Sequence, residues 1–147
     1  KDMTVTGNVF RESLRLWGPS HSMPRGTLKD FDFNGHQVPA GTMVYISPSF
    51  THRMPEYWKE SDLFDPSRFA SPREEHKAHR YLFMPFGGGA HGCIGMVLAE
   101  IQAKVFFWHL LKRFELKLVD PSAPYKLKYT PIPTAADGLR MVMEPRF

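Results

Sequence analysis

The chain has 147 residues, 42% of them hydrophobic and 14% aromatic, which is enough for one domain with a real core and too apolar for disorder or a fibre. Its formal net charge is +4, but the basic residues are scattered among acids, which excludes a nucleic-acid stripe and suits a docking face for an acidic partner protein. One cysteine excludes an internal disulfide framework and fits a reducing compartment, and no apolar run approaches the roughly 18 residues needed to span a bilayer.

No signal peptide is visible, because Lys1-Asp2-Met3-Thr4 leads straight into a helix pattern, as expected of a chain that starts inside a larger protein. The pattern predicts a helix from Val5 to Trp17. Val5, Val9, Glu12 and Leu16 share one face of it. Glu12 therefore lies in an apolar stripe, where a carboxylate is costly unless paired. Arg15, three residues on, is its neighbour on the helix surface. Gly18-Pro19 stops the helix.

Phe31-Asp32-Phe33 followed by Asn34-Gly35 is a hairpin signal. Val38-Pro39-Ala40-Gly41 marks a second turn, and Met43 to Ser47 reads as a strand. Leu28 to Ser47 is thus expected to form a small antiparallel sheet. From Pro48 to Pro85 prolines recur and regular structure is sparse. Asp65-Pro66 reads as a cap with proline at the first helical position. The charged run Arg73 to Arg80 reads as a solvated surface segment.

Ile94 to Arg113 is the longest predicted helix, with its N-terminus at Cys93. Ile94, Leu98, Ile101, Val105, Trp108 and Leu111 are expected to give it a broad buried face, with Glu100, Lys104 and Lys112 off that face. Extended segments follow at Glu115 to Val119, Lys126 to Tyr129 and Leu139 to Glu144. Pro131, Pro133 and Asp137-Gly138 mark turns between the last two.

The chemistry centres on Phe86-Gly87-Gly88-Gly89-Ala90-His91-Gly92-Cys93-Ile94-Gly95. It delivers the only thiol to a helix N-terminus, where the amides of Cys93, Ile94 and Gly95 and the helix dipole favour a thiolate. The glycines let backbone pass close to a flat or bulky ligand, and His91 could meet a negative group on it. A packed, inert cysteine is the bland alternative. A cysteine nucleophile is another, although spacing assigns it no histidine base. Gly87-x-Gly89-x-x-Gly92 formally matches a dinucleotide loop, but proline precedes it where a strand should be and no acid follows at the right distance. Such a loop would need a parallel sheet. His76, His79, His91 and Cys93 match no closed zinc pattern, and exposed histidines are the simpler reading.

Phe86-x-x-Gly89-x-His91-x-Cys93-x-Gly95 resembles the haem-binding signature of the cytochrome P450 family, with histidine where arginine is commoner. Glu12-x-x-Arg15 resembles the family's Glu-x-x-Arg helix, and Pro66-x-Arg68-Phe69 its Pro-x-Arg-Phe element. Three motifs in the family's order carry the resemblance, which covers the whole chain but only the last third of a typical member. It implies a mainly α fold with small antiparallel sheets (α+β) and residues 1–147 as a single partial domain.

The resemblance also implies roles. Cys93 would be the thiolate ligand of the iron of haem b (iron protoporphyrin IX). Phe86 would pack beside that thiolate, with Gly87, Gly89 and Gly95 giving clearance. His91 and Arg25 would meet the haem propionates. Glu12, Arg15 and Arg68 would form a buried structural charge triad. Ser20, His21 and Ser22 after the first helix, and Thr134 and Ala135 in the later turn, would contact a small lipophilic substrate; the loop and the C-terminal hairpin look similar to sterol- and retinoid-oxidising branches.

A thiolate trans to bound O2 favours O–O cleavage, so the implied activity is a monooxygenase. Its electrons would come from a ferredoxin, a flavodoxin-like donor or a reductase, docked on Arg73, Lys77, Arg80, Lys104 or Lys112. A bacterial-type member would be cytoplasmic, whereas a full-length form could carry an N-terminal anchor. The family's central helix has no counterpart here, so a non-catalytic truncated remnant is the competing expectation.

Overall fold

The computed structural model describes residues 3–122, 126–129, 132–136 and 138–146. Helix α1 runs Thr4–Trp17. Strands β1 (Met23–Gly26), β2 (Phe31–Phe33), β3 (His36–Val38) and β4 (Met43–Ile46) follow, then the one-turn helix α2 (Pro48–Thr51). Short 3-10 turns at Pro66–Phe69, Glu75–Lys77 and Gly89–His91 lead to helix α3, Met96–Arg113. Strands β5 (Phe114–Leu118), β6 (Leu127–Lys128), β7 (Thr134–Ala135) and β8 (Met141–Pro145) complete the described chain.

The predicted hairpin forms with its turn at Asn34-Gly35, both residues at positive φ, as the tight two-residue turn between twisted strands requires. The expected sheet over 28–47 is corrected in two ways. It is two ladders, β1 with β4 and β2 with β3, and its first strand starts at Met23. Pro24 hides that strand from pattern reading, since proline is tolerated only where a ladder needs no N–H. β5 pairs with β8 from Phe114↔Pro145 to Leu118↔Met141, and β6 pairs with β7. Pro131 and Asp137 lie outside the described residues. All four ladders are antiparallel. Among the described residues, then, nothing offers the parallel sheet of a dinucleotide module.

The core lies where regular structure is sparsest. Trp58, Phe69 and Leu82 are buried together, with Phe83 packed against them. The Trp58 indole N–H donates to the Thr51 carbonyl at 3.1 Å, and the Phe69 and Phe83 rings meet edge to face at 4.9 Å. Asp65 caps the Pro66–Phe69 turn by accepting the Ser67 amide at 3.0 Å, as the sequence reading expects.

Two helix faces differ from expectation. On α1, Val5 is 77% exposed, and the buried residues are Gly7, Asn8, Glu12, Arg15 and Leu16. The helix packs against a segment rich in backbone carbonyls, so its polar side faces inward. On α3 no residue is buried. Leu98 and Ile101 are 59% and 53% exposed, and Ile94, Val105, Trp108 and Leu111 are exposed as well. Among the described residues nothing covers that apolar face. α3 instead meets α1 through charge: Glu100 accepts from Arg11 at 3.1 Å and from Lys104 at 2.6 Å. The Lys104 stem crosses so close to Gly7 that a Cβ there would sit 2.7 Å from it.

Candidate metal centre

The Glu-x-x-Arg spacing puts Glu12 and Arg15 on one side of α1, and the Asp65 cap turns Arg68 toward them. Arg15 Nε donates to Glu12 Oε2 at 2.7 Å and Arg68 Nε donates to Glu12 Oε1 at 3.0 Å, with all three side chains fully buried. Both guanidiniums are saturated. Arg15 also donates to Glu12 Oε1 and to the carbonyls of His52, Ser61 and Leu63. Arg68 also donates to the carbonyls of Lys59, Glu60 and Leu63 and, at 2.7 Å, to Glu75 Oε2. The Asp65 amide donates to Glu12 Oε1 at 2.9 Å.

Glu75 corrects the reading of residues 73–80 as a solvated run. Arg73 bridges Glu75 to Asp65. Six side chains thus form one neutral network, Glu12, Asp65 and Glu75 with Arg15, Arg68 and Arg73. The hydroxyl of Ser67, then Arg73, holds the Asp65 carboxyl down at about 2. A signal for Glu75 was present in the sequence. Two buried cations against one acid leave a surplus charge that burial does not tolerate, so a second carboxylate was needed. His76 is likewise not an exposed histidine: it is half-buried, 5.1 Å from the Phe69 ring, and burial pushes its pKa down.

The ion network borders the cysteine loop through His52. The Met84 amide donates to His52 Nε2 at 3.0 Å. The Met84 carbonyl accepts the Gly87 amide at 3.1 Å, the Gly89 carbonyl accepts the Gly92 amide at 3.2 Å, and the Phe86 carbonyl accepts the Cys93 amide at 2.9 Å. Residues 86–93 therefore close on themselves, which Gly87 and Gly89 permit by adopting φ of 75° and 69°. The expectation that the Cys93 amide points at its own sulfur is corrected, since that N–H is spent on closing the loop. The helix begins at Met96, whose amide donates to the Cys93 carbonyl at 3.3 Å. The sulfur lies beside that helix start, as a Cβ on Gly95 would be 3.7 Å from it.

Cys93 is free and exposed. No group of three His, Cys, Asp or Glu able to hold a metal ion exists among the described residues, so His76, His79, His91 and Cys93 do not form a metal cluster. A bare metal on this thiol would lack further protein ligands, whereas a macrocycle brings its own. The surroundings fit a flat group: a Cβ on Gly89 would meet no atom within 4 Å, Ile94 is fully exposed, and Phe86 is half-buried. His91 and Arg25 are exposed, and the Arg25 guanidinium donates to the Pro24 carbonyl at 2.8 Å. β1 approaches the loop, with the Met23 sulfur 3.6 Å from where a Gly87 Cβ would be.

Of the residues expected to touch substrate, His21 is held by Ser49, with Nδ1 3.1 Å from Oγ, and packs 5.4 Å from the Tyr129 ring. A cavity of about 360 Å³ joins Trp17 and His21 to Pro133. Ser20, Ser22, Thr134 and Ala135 do not line it, and Thr134 and Ala135 are taken up in β7. Of the cations expected on a docking face, Arg73, Lys77 and Lys104 are already in ion pairs. Arg80 and Lys112 lie over the Tyr81 and Trp108 rings at 5.1 and 4.8 Å. No helix among the described residues is long and apolar enough to cross a membrane.

Comparison with known proteins agrees with the motifs. The family model Cytochrome P450 matches residues 1–136. A Mycobacterium tuberculosis protein named as a cytochrome P450 (number 136) is 43% identical over 94% of this chain, which covers 28% of that relative. Sterol 14-demethylase of Arabidopsis thaliana is 40% identical over 82% of the chain and 26% of its own length. The solved structure of retinoic acid bound cyanobacterial CYP120A1 superposes with a TM-score of 0.88 at 31% identity, covering 95% of this chain and 32% of that one. The chain thus spans under a third of each of these proteins. The Glu12–Arg15 pair, the Pro66–Phe69 turn and the cysteine loop stand in one connected framework, and the chain belongs to the cytochrome P450 family.

Proposed function

We propose that this chain is the haem-binding part of a haem-thiolate monooxygenase, in which Cys93 would hold the iron of haem b. The observation that supports this best is the closed loop of residues 86–93, which presents one exposed thiol beside a helix start and open space at Gly89. Bound here, haem would supply oxygen activation, which a thiolate ligand from Cys93 would promote. The chain's own residues do the rest. The sulfur that would hold the iron lies beside the start of α3. In this reading Phe86 packs beside the ligand sulfur, and the exposed His91 and Arg25 meet the propionates. The ion network around Glu12 is structural and holds the loop's foundation in place.

The substrate is proposed to be a small lipophilic molecule, with the residue 17–23 segment and the segment around Pro133 on its path. Related proteins include a sterol 14-demethylase, a beta-amyrin 28-monooxygenase of Solanum lycopersicum and a structure solved with retinoic acid, all named for largely apolar molecules. Electrons would come from an acidic ferredoxin, a flavodoxin-like donor or a reductase. Among the described residues, Arg80 and Lys112 are the cations of the expected set outside any ion pair and lie instead over aromatic rings, so reversing those two should slow reduction most while leaving the haem spectrum unchanged. The apolar face of α3 that no described residue covers supports the reading that this activity is exercised within a longer family fold.

The test is spectroscopic. Reduced, haem-loaded protein under carbon monoxide should show the strongly red-shifted Soret band of thiolate ligation, and Cys93→Ala should abolish it. A histidine-type spectrum would overturn the assignment.

A further inference from the structure

His52 has no role in the scheme above, yet it stands between its two halves. It is 2% exposed. Its carbonyl accepts from Arg15 Nη1 at 2.7 Å, and its ring accepts the Met84 amide on Nε2 at 3.0 Å. The ring also packs 5.3 Å from Phe83. A nitrogen that accepts a backbone N–H carries no proton, so the ring is the neutral Nδ1–H tautomer. Burial, with the nearby charges of Arg15 and Arg53, pushes its pKa down to about 4 and agrees with that state.

Met84 opens the cysteine loop. Its carbonyl takes the Gly87 amide, and two residues on the Phe86 carbonyl takes the Cys93 amide. From Glu12 through Arg15, His52, Met84 and Phe86 to Cys93, each link is a hydrogen bond or a short run of backbone. The run is anchored at one end in a saturated ion network and reaches the Cys93 backbone amide at the other.

We propose that His52 is a positioning residue for the Cys93 thiolate: its Nε2 fixes the Met84 amide and thereby the loop that aims the sulfur. This rests on Cys93 being the iron ligand. A purely structural His52 would affect stability alone, whereas a positioning His52 affects ligation in protein that is still folded. Outer partners of metal ligands typically change metal affinity by about 10- to 100-fold.

The test uses haem-loaded holoprotein with His52→Phe, which keeps a ring against Phe83 and loses the acceptor, and His52→Gln, which offers an acceptor again. His52→Phe should lose thiolate-ligated haem on the order of 10-fold faster than wild type, read as decay of the red-shifted carbon monoxide band at unchanged far-UV circular dichroism. His52→Gln should restore most of it. A His52→Phe protein as persistent as wild type, or a His52→Gln protein as defective as His52→Phe, would overturn the proposal. Should His52→Phe not fold, the wild-type ring decides by nitrogen NMR. Nε2 should be unprotonated and coupled to the Met84 amide, and a protonated Nε2 would overturn it. If Cys93→Ala leaves the spectrum unchanged, the haem reading itself has failed. If that control behaves and only the His52 results disagree, this inference alone has failed.

Discussion

Residues 48–85 and helix α3 are opposites. The first segment is broken by prolines, holds only α2 and two 3-10 turns, and contains most of the buried side chains. The second is the longest and most regular element, and none of its residues is buried. Regularity and burial are thus separate properties. An irregular backbone can be fixed when its carbonyls have donors, and here Arg15 and Arg68 supply ten N–H groups to carbonyls and carboxylates. A helix satisfies its own backbone and can therefore stand with its apolar side chains uncovered until another part of a fold packs on them.

The largest effect that would test this contrast is Glu12→Ala. It leaves two buried guanidiniums facing each other without their shared carboxylate, and should cost about 3–5 kcal/mol in urea unfolding. A loss under about 1 kcal/mol would mean that the network relaxes by taking in water. Leu82→Ala should cost about 2–5 kcal/mol by opening a cavity beneath Trp58 and Phe69.

Acid should weaken the same region. The folded pKa of His52 is about 4 against an ordinary 6.5, so the unfolded chain takes up the proton first. The contribution is complete above about pH 6.5 and is lost as pH falls toward 4, amounting to about 3 kcal/mol at most. Urea midpoints measured across that window should fall in wild type and fall less in His52→Gln.

The smallest effect belongs to α3. In the chain by itself Ile101→Ser should change stability by no more than about 0.5 kcal/mol. In a protein that covers this helix the same substitution should cost several times more, and equal costs in both would break the comparison.

The local signals in the sequence were legible because they are chemical. Asn34-Gly35 admits few alternatives to a tight turn, Asp65-Pro66 caps and starts a helical turn, and the odd position of Glu12 points to a buried partner. The cysteine loop stood out by its glycines. What pattern reading missed depends on who covers what. Periodicity marks Leu98 and Ile101 as apolar but cannot say that no described residue covers them. Glu75 is one charge among many in the sequence, and only the fold sets it 2.7 Å from Arg68. His52 follows a proline-started turn and sits in no motif; only the fold brings it 3.0 Å from the Met84 amide, 32 residues away.

The central claim is that Cys93 binds haem iron, and X-ray absorption at the iron edge of the haem-loaded protein tests it most directly. The account predicts one sulfur neighbour at bonding distance among light-atom ligands, lost in Cys93→Ala. A shell of nitrogen and oxygen alone in the wild-type protein would contradict it.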